Sequence, residues 1–195
     1  ANPEVIRADG DHRFTAVGEG VATLVSVDAD GAEIDRLSYR VQRPTDMKLK
    51  LIPNILQPAI DTPTTTWLAK GGHVTLVPEL FGEGGKLQHA GVVHFTTDND
   101  AAAVQPSATG RARVDGNKIG ATTIRIRVDN LGKPDTVRGI AVVDHDRIDN
   151  LTYHVGPVGG VSKDDGKRMA LVWIKAWTED KRWIHGVQAR WESLI

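Results

Sequence analysis

Short runs in which apolar and polar residues alternate dominate this sequence, and they restrict the chain to β-structure. The clearest run is Ala121–Val128, where Ile124, Ile126 and Val128 fall on one face of an extended strand. Similar runs recur at roughly ten-residue spacing, separated by turn-forming clusters such as DADG at 28–31. No stretch shows a sustained helical period. The sequence therefore predicts an all-β protein built from β-sandwiches.

Composition limits the classes of function that the chain can have. A net charge of −1 gives no overall attraction to nucleic acid or to an anionic membrane surface. The absence of cysteine excludes disulfides, thiol catalysis and thiolate metal sites. No apolar run reaches the length of a membrane span, and no signal-like segment is present. A mature secreted protein would also lack its signal, so this absence does not indicate the cytosol.

An internal repeat organises the chain. HVTLVPELFGEGGK at 73–86 aligns with RMALVWIKAWTEDK at 168–181 at an offset of 95, which places Trp173 on Pro78. HAGVVHF at 89–95 aligns with HGVQARW at 185–191 at an offset of 96, which places Trp191 on Phe95. These segments would form the first half of a repeated unit.

The second half of the unit repeats as well. FTAVGEGVATLVSV at 14–27 aligns with VDGNKIGATTIRIRV at 114–128. The aligned glycines are Gly20 with Gly120 and Gly31 with Gly132. Glycine at such positions indicates tight turns that need a positive φ.

The repeat divides the chain into three segments. Residues 46–147 form a complete immunoglobulin-like sandwich, residues 1–45 the second half of such a unit, and residues 148–195 the first half. The tail WESLI joined to the head ANPEV matches FTTDNDAAAV of the complete unit in length. We therefore expect tandem immunoglobulin-like β-sandwiches, one complete and one split between the N- and C-terminal segments with nothing missing.

The split unit can be completed in three ways. The two halves can close within one chain, or the tail of one chain can complete the head of a neighbouring chain. Alternatively, the sequence is one period of a longer array, cut at an arbitrary point. A contact between neighbouring chains would be head to tail, and it would propagate as a filament unless it closed into a ring.

Three short motifs resemble the group 2 bacterial immunoglobulin-like domains. They are WES at 191–193, NPEV at 2–5 and VGEGVA at 17–22. The central unit departs from the pattern, because Phe95 replaces the tryptophan and Gly120 is the only one of the two motif glycines retained. The resemblance implies a β-sandwich from a bacterial surface or secreted protein, where such domains serve as spacers, adhesins or fibre modules.

Four of the five tryptophans crowd into the C-terminal segment. Trp173, Trp177 and Trp183 are the candidate binding residues, because the predicted strand 168–177 has apolar residues on both faces. Something must cover the second face: a neighbouring domain, another subunit or a ligand. We favour a protein contact, since no polar cluster suited to hydroxyl groups accompanies the rings. A glycan stacked on the tryptophans is the alternative.

A cluster of oxygen ligands falls between the complete unit and the segment that follows it. The motif DHDRIDN contains Asp144, Asp146, Asp149 and Asn150. Side chains of this kind bind Ca²⁺, which would stiffen the junction. The alternative is an ordinary polar linker.

The sequence offers no catalytic constellation. His89 and His185 occupy equivalent places in the two repeats, which indicates a structural role rather than a zinc site. No serine lies in a nucleophile elbow, and no glycine-rich loop precedes a helix.

The predicted protein is a non-enzymatic, extracellular structural module of a bacterial surface fibre, stalk or filament. Its partner is a second copy, joined head to tail, or a neighbouring immunoglobulin-like repeat; neither nucleic acid nor a membrane span is expected. The alternative is an adhesin that recognises a glycan or a surface protein through Trp173, Trp177 and Trp183.

Overall fold

The computed structural model describes residues 2–10, 13–53, 57–88, 92–156 and 171–189. Within these ranges the chain is made of strands and turns, and the one helix is a single 3₁₀ turn, His145–Arg147. The described helical turn is far too short to cross a membrane. The all-β prediction is therefore confirmed.

The chain divides into two compact units. Unit 1 comprises Ala1–Met47, Leu80–Leu87 and Asn130–Gly132, and unit 2 comprises Lys48–Glu79, Gln88–Asp129 and Lys133–Ile195. The segment bounds predicted from the repeat, 1–45, 46–147 and 148–195, remain a prediction.

Unit 1 is built from two antiparallel pairs of strands. Its strands are β1 (Ile6–Ala8), β2 (Phe14–Ala16), β3 (Gly20–Val27) and β4 (Glu33–Val41). β1 pairs with β2, and β3 pairs with β4 from Gly20 opposite Val41 to Val27 opposite Glu33. Each pair is a separate two-stranded sheet.

The core of unit 1 is small. Val5, Ile6 and Ala22 are buried together, and Leu24 and Val41 pack against them while remaining half-buried. Two-stranded sheets are marginal by themselves, so most of the stability of this unit must come from what covers its apolar faces.

Two larger sheets form the sandwich. The remaining strands are β5 (Asp46–Ile52), β6 (Ile60–Asp61), β7 (Thr65–Ala69), β8 (His73–Gly82), β9 (Gly85–Lys86), β10 (Val93–Thr97), β11 (Ala102–Pro106), β12 (Ala112–Gly116), β13 (Gly120–Val128), β14 (Thr136–Val143), β15 (Asn150–Gly156), β16 (Leu171–Trp177) and β17 (Trp183–His185). The first sheet has the order β10-β13-β14-β7-β17-β16-β15. The second has the order β11-β12-β8-β5-β6, with β9 beside β8. The strands of the two sheets lie in unit 2 except for β9, the start of β5 and the end of β8.

Alternation along these strands produces the core. Ile124 and Ile140 of the first sheet are almost completely buried, as are Val74, Leu76 and Val114 of the second. The intervening residues of β13 point outward, and its arginines are exposed. Each sheet therefore buries one apolar face against the other, as expected for a β-sandwich.

The C-terminal strands extend the first sheet through β17. This short strand pairs in parallel with β7, with Ile184 opposite Trp67 and His185 opposite Leu68. β7 also pairs in parallel with β14 on its other side. The hairpin of β15 and β16 is thus joined to the sandwich through β17.

Two glycines allow the chain after β17 to approach the turn between β7 and β8. A Cβ on Gly72 would collide with the carbonyl oxygen of Gly186. A Cβ on Gly186, where φ is +70°, would lie 2.6 Å from the backbone nitrogen of His73. Gln188 adds a hydrogen bond from Nε2 to the carbonyl oxygen of Gly71, at 3.0 Å. Only glycine fits both positions of this contact.

The aligned glycines of the repeat share unusual backbone conformations. Gly20 has φ +144° and Gly120 has φ +147°, while Gly31 and Gly132 have φ +82° and +67°. β3 therefore begins in the same way as β13, the corresponding strand of the sandwich, whereas the turn that follows β3 is two residues shorter than the one that follows β13.

The alignment of the head ANPEV with the complete unit is wrong by three positions. The carbonyl oxygen of Val5 accepts hydrogen bonds from the backbone N–H groups of Val17 and Gly18. The carbonyl oxygen of Ala101 accepts the equivalent hydrogen bonds from Asn117 and Lys118. Ile6 of β1 stands opposite Ala16 just as Ala102 of β11 stands opposite Gly116. Val5 thus corresponds to Ala101 and not to Val104, because alternation does not determine loop length. WES at 191–193 lies outside the described residues.

Replacing Gly20 with alanine should destabilise unit 1. The substitution forces a Cβ into a positive-φ conformation and to 2.8 Å from Val5 Cγ2, so we expect a loss of about 1–3 kcal/mol in urea unfolding. Gly31→Ala is the matched control, because its φ is also positive but no atom lies within 4 Å of the added Cβ. Equal losses for the two variants would show that contact with Val5 has no part in the effect.

Candidate functional site

The three candidate tryptophans lie together on one face of the extended first sheet. Trp177 of β16 stands directly opposite Trp183 of β17, with ring centroids 5.8 Å apart. Trp173 stands opposite His154 of β15, and their rings stack at 5.6 Å and 12°. All three tryptophans are half-buried. We call this surface the tryptophan face, comprising His154, Trp173, Lys175, Trp177 and Trp183.

Cations and neighbouring rings cover part of the aromatic surface. The Lys175 ammonium lies 5.5 Å from the Trp183 ring centroid, within range of a cation–π interaction. The ring centroid of His185 lies 4.3 Å from that of the same indole. The aromatic groups therefore hold one another in place, and binding through them stays a prediction.

The opposite face of the same strands is apolar too. Ala176 and Ile184 are buried with Ala69 and Val143, and Trp67, Ile148 and Val187 pack against this cluster. Arg182 covers the outer side of Trp67, with its guanidinium carbon 4.7 Å from the ring centroid. Within β16, Ala176 is therefore covered inside unit 2, whereas Ile174 on the same face is half-buried and lies opposite Tyr153, which is 72% exposed.

The candidate calcium ligands do not gather around one point. Asp144 caps the 3₁₀ turn, its Oδ1 accepting the backbone N–H of His145 at 2.7 Å. Asn150 is the first residue of β15, opposite Trp177. In the part of the chain that the structure describes, no group of three or more His, Asp or Glu side chains is arranged to hold a metal ion. Calcium binding stays a prediction.

Asp146 and Asp149 instead line an open cleft of about 630 Å³ with the turn after β16. That turn contributes Thr178, Glu179 and Asp180. A hydrogen bond from the Thr178 hydroxyl, aided by the nearby charge of Arg182, lowers the pKa of Asp180. The Asp180 carboxylate is thus already engaged within its own turn. The sequence did not indicate this cleft, because the acidic residues come from two distant segments.

A second surface is apolar and incompletely covered. One face of the β3–β4 hairpin is buried at Ala22 and exposed at Leu37 and Tyr39. We call it the open face. It comprises Ala22, Leu24, Leu37, Tyr39 and Val41.

The sandwich of unit 2 provides a direct comparison for the open face. Tyr39 lies opposite Ala22 just as Ile140 lies opposite Thr122. Tyr39 is 37% exposed, whereas Ile140 is 1% exposed beneath the second sheet. The open face therefore lacks the cover that its counterpart has. Sequence reasoning did not identify Leu37 and Tyr39, although alternation along β4 marks both.

Comparison with known proteins returned solved structures only. No family model matches the chain, and no curated protein matches it. Domains 5–6 of the S-layer protein SbsC are 21% identical over 63% of this chain and 62% of that chain, with a TM-score of 0.42. Domains 4–9 of the surface layer protein SbsC are 18% identical over 95% of this chain and 28% of that one, with a TM-score of 0.47.

A third similar structure is that of InvD of Yersinia pseudotuberculosis. It is 10% identical over 88% of this chain and 54% of that one, with a TM-score of 0.35. The chain spans less than two thirds of the length of all three structures. At TM-scores below 0.5, the fold is defined by this chain's own strands and registers.

His185 is a buried titratable group at the point where β17 joins the sheet. It is 3% exposed, and among the described residues its Nδ1 has no hydrogen-bond partner. Burial lowers the pKa of His185 to about 4, because the imidazolium would lose its hydration without gaining a partner. The ring is therefore neutral in the folded protein above that pH.

The stability of the protein should fall between about pH 6.5 and pH 4 because of His185. In this window the unfolded chain binds a proton that the folded chain does not, so stability falls as the pH falls and levels off below pH 4. The full effect is on the order of 3 kcal/mol.

Urea unfolding followed by tryptophan fluorescence at pH 7.5 and pH 4.5 measures this contribution. His185→Gln should lose less stability than the wild-type protein between the two pH values. Parallel losses in both proteins would show that His185 does not carry the effect.

Proposed function

We propose that this chain is a non-enzymatic structural module of an extracellular bacterial fibre, stalk or filament. Copies join head to tail when the C-terminal strands of one copy cover the open face of the next. The observation that carries this proposal is the contrast between Tyr39, at 37% exposed, and its buried counterpart Ile140. The predicted segments 1–45 and 148–195 are the two halves that complete each other.

The physics of the open face supports self-assembly. A two-stranded hairpin gains lasting stability when a third strand or a packed layer covers its apolar face. An uncovered apolar face and free strand edges promote association with other chains. The C-terminal strands and the N-terminal hairpin present two different surfaces. A contact between two copies therefore leaves one surface of each kind unoccupied, one on each copy. Such a contact extends the assembly unless the ring closes.

We also propose that the chain belongs to the group 2 bacterial immunoglobulin-like domains. The glycines of VGEGVA have physical roles that support this assignment. A Cβ on Gly18 would collide with the carbonyl oxygen of Glu4, and Gly20 needs its positive φ. In the central unit, Lys118 stands at the first glycine position and pairs with Asp100 instead. An extracellular location follows from this proposed membership.

A binding module is the second candidate. The gathering of Trp173, Trp177 and Trp183 on one face favours it, since aromatic rings provide contact area for glycans and for proteins. An adhesin of this kind would remain monomeric, and its tryptophan fluorescence would change when a ligand binds. Glycan titration of the monomer distinguishes this candidate from a self-assembling module.

The solution mass of the chain across a dilution series tests the proposed function. By light scattering after size separation, we expect a ladder of species whose mass rises with concentration. Tyr39→Ser should weaken association by at least about tenfold, because it removes an aromatic group from the open face. Val21→Ser is the matched control: Val21 is exposed on the other face of β3, so this variant should assemble normally. A compact wild-type monomer at every concentration would contradict the proposal.

A further inference from the structure

We infer that the tryptophan face of one copy is the surface that covers the open face of a second copy. The two surfaces would form the two layers of a β-sandwich across the contact. This inference rests on the proposed head-to-tail assembly and identifies the residues that make it.

The repeat assigns the tryptophan face to the inside of a sandwich. β16 aligns with β8, where the residues that point into the core are Val74, Leu76, Pro78 and Leu80. Trp173 takes the position of Pro78, which is buried. The side of β16 that carries Trp173 therefore corresponds to the inward side of β8.

The repeat also assigns the open face to the inside of a sandwich. β3 and β4 correspond to β13 and β14, with the same starting glycine and the same register at the equivalent pairs. In unit 2 the inward face of β13 and β14 is the one buried by the second sheet, where Ile124 is completely buried. The complete sandwich therefore shows which two faces meet: that of β8 and that of β13–β14.

The two surfaces are chemically complementary. Trp173 and Trp177 on one side would meet Leu37 and Tyr39 on the other, a pairing of large aromatic and aliphatic groups typical of the core of a protein interface. Each face also carries one charge. Lys175 replaces the apolar Leu80 of β8, and Asp35 shares the side of β4 that carries Leu37 and Tyr39. The charges are opposite, so they favour this pairing over a contact between two identical faces.

The internal contacts of the tryptophan face favour a protein partner over a sugar. A glycan stacks on a free ring face, whereas Trp173 already stacks on His154, and both Lys175 and His185 lie against the Trp183 ring. The remaining surface is a half-buried apolar layer. Such a layer suits a second apolar sheet better than a polar ligand.

Mixing two variants of the full chain tests the inference. Tyr39→Ser impairs the open face and leaves the tryptophan face intact, whereas Trp173→Ser does the reverse. Each variant alone should stay close to monomeric at concentrations where the wild-type chain forms a ladder. An equimolar mixture should form a one-to-one dimer and nothing larger, because only one pair of intact faces remains. Light scattering after size separation measures each mass.

The control variant is Tyr153→Ser. Tyr153 is 72% exposed on the opposite side of β15 from His154, so this variant should assemble like the wild-type chain. Circular dichroism and thermal melting establish that each variant is folded. If Trp173→Ser does not fold, Lys175→Glu takes its place as the variant with an impaired tryptophan face, and its equimolar mixture with Tyr39→Ser should again form a one-to-one dimer.

The outcomes separate the inference from the proposed function. A wild-type ladder that Tyr39→Ser weakens but Trp173→Ser leaves unchanged would overturn the inference and leave the proposed assembly through the open face standing. A wild-type chain that is monomeric at every concentration would overturn both. A ladder, two monomeric variants and a mixed dimer would establish the contact.

Discussion

Each strand of this protein carries its apolar residues mainly on one face, and a sheet of such strands is stable only when that face is covered. In unit 2 the cover comes from the second sheet, and Ile124 and Ile140 are buried by it. In unit 1 the equivalent face is only partly covered, and Tyr39 reaches solvent. How unit 1 is stabilised depends on this difference, because an uncovered apolar sheet face is stable only when a further layer packs against it.

The C-terminal strands also have an apolar face that is only partly buried. β17 joins the sheet beside β7, and the close approach of Gly72 and Gly186 allows the chain to pack there. At Ala176, one side of β16 is covered by the cluster that includes Ile184. The other side, with its tryptophans, has the inward-facing pattern of a sandwich strand. Two incomplete apolar surfaces in one chain are what a module that assembles with its own copies requires.

Much of the fold follows from local patterns in the sequence. Alternation located β13 to within one residue of its observed start, and the repeat located the positive-φ glycines Gly20 and Gly120. The partner of β17 was not predictable, since parallel pairing between distant segments leaves no local signal. The cleft that joins Asp149 to Asp180 was hidden for the same reason. Of the candidate surfaces, sequence reasoning identified the tryptophans but not Leu37 and Tyr39 of the β3–β4 hairpin.

The two parallel neighbours of β7 have a consequence for how the chain is made. Thr65 pairs with Gly139, 74 positions later, and Trp67 pairs with Ile184, 117 positions later. During synthesis β7 therefore emerges long before either described neighbour, and contacts of such sequence separation form slowly. Until β14 has been translated, an apolar strand bearing Trp67 and Leu68 remains without its sheet.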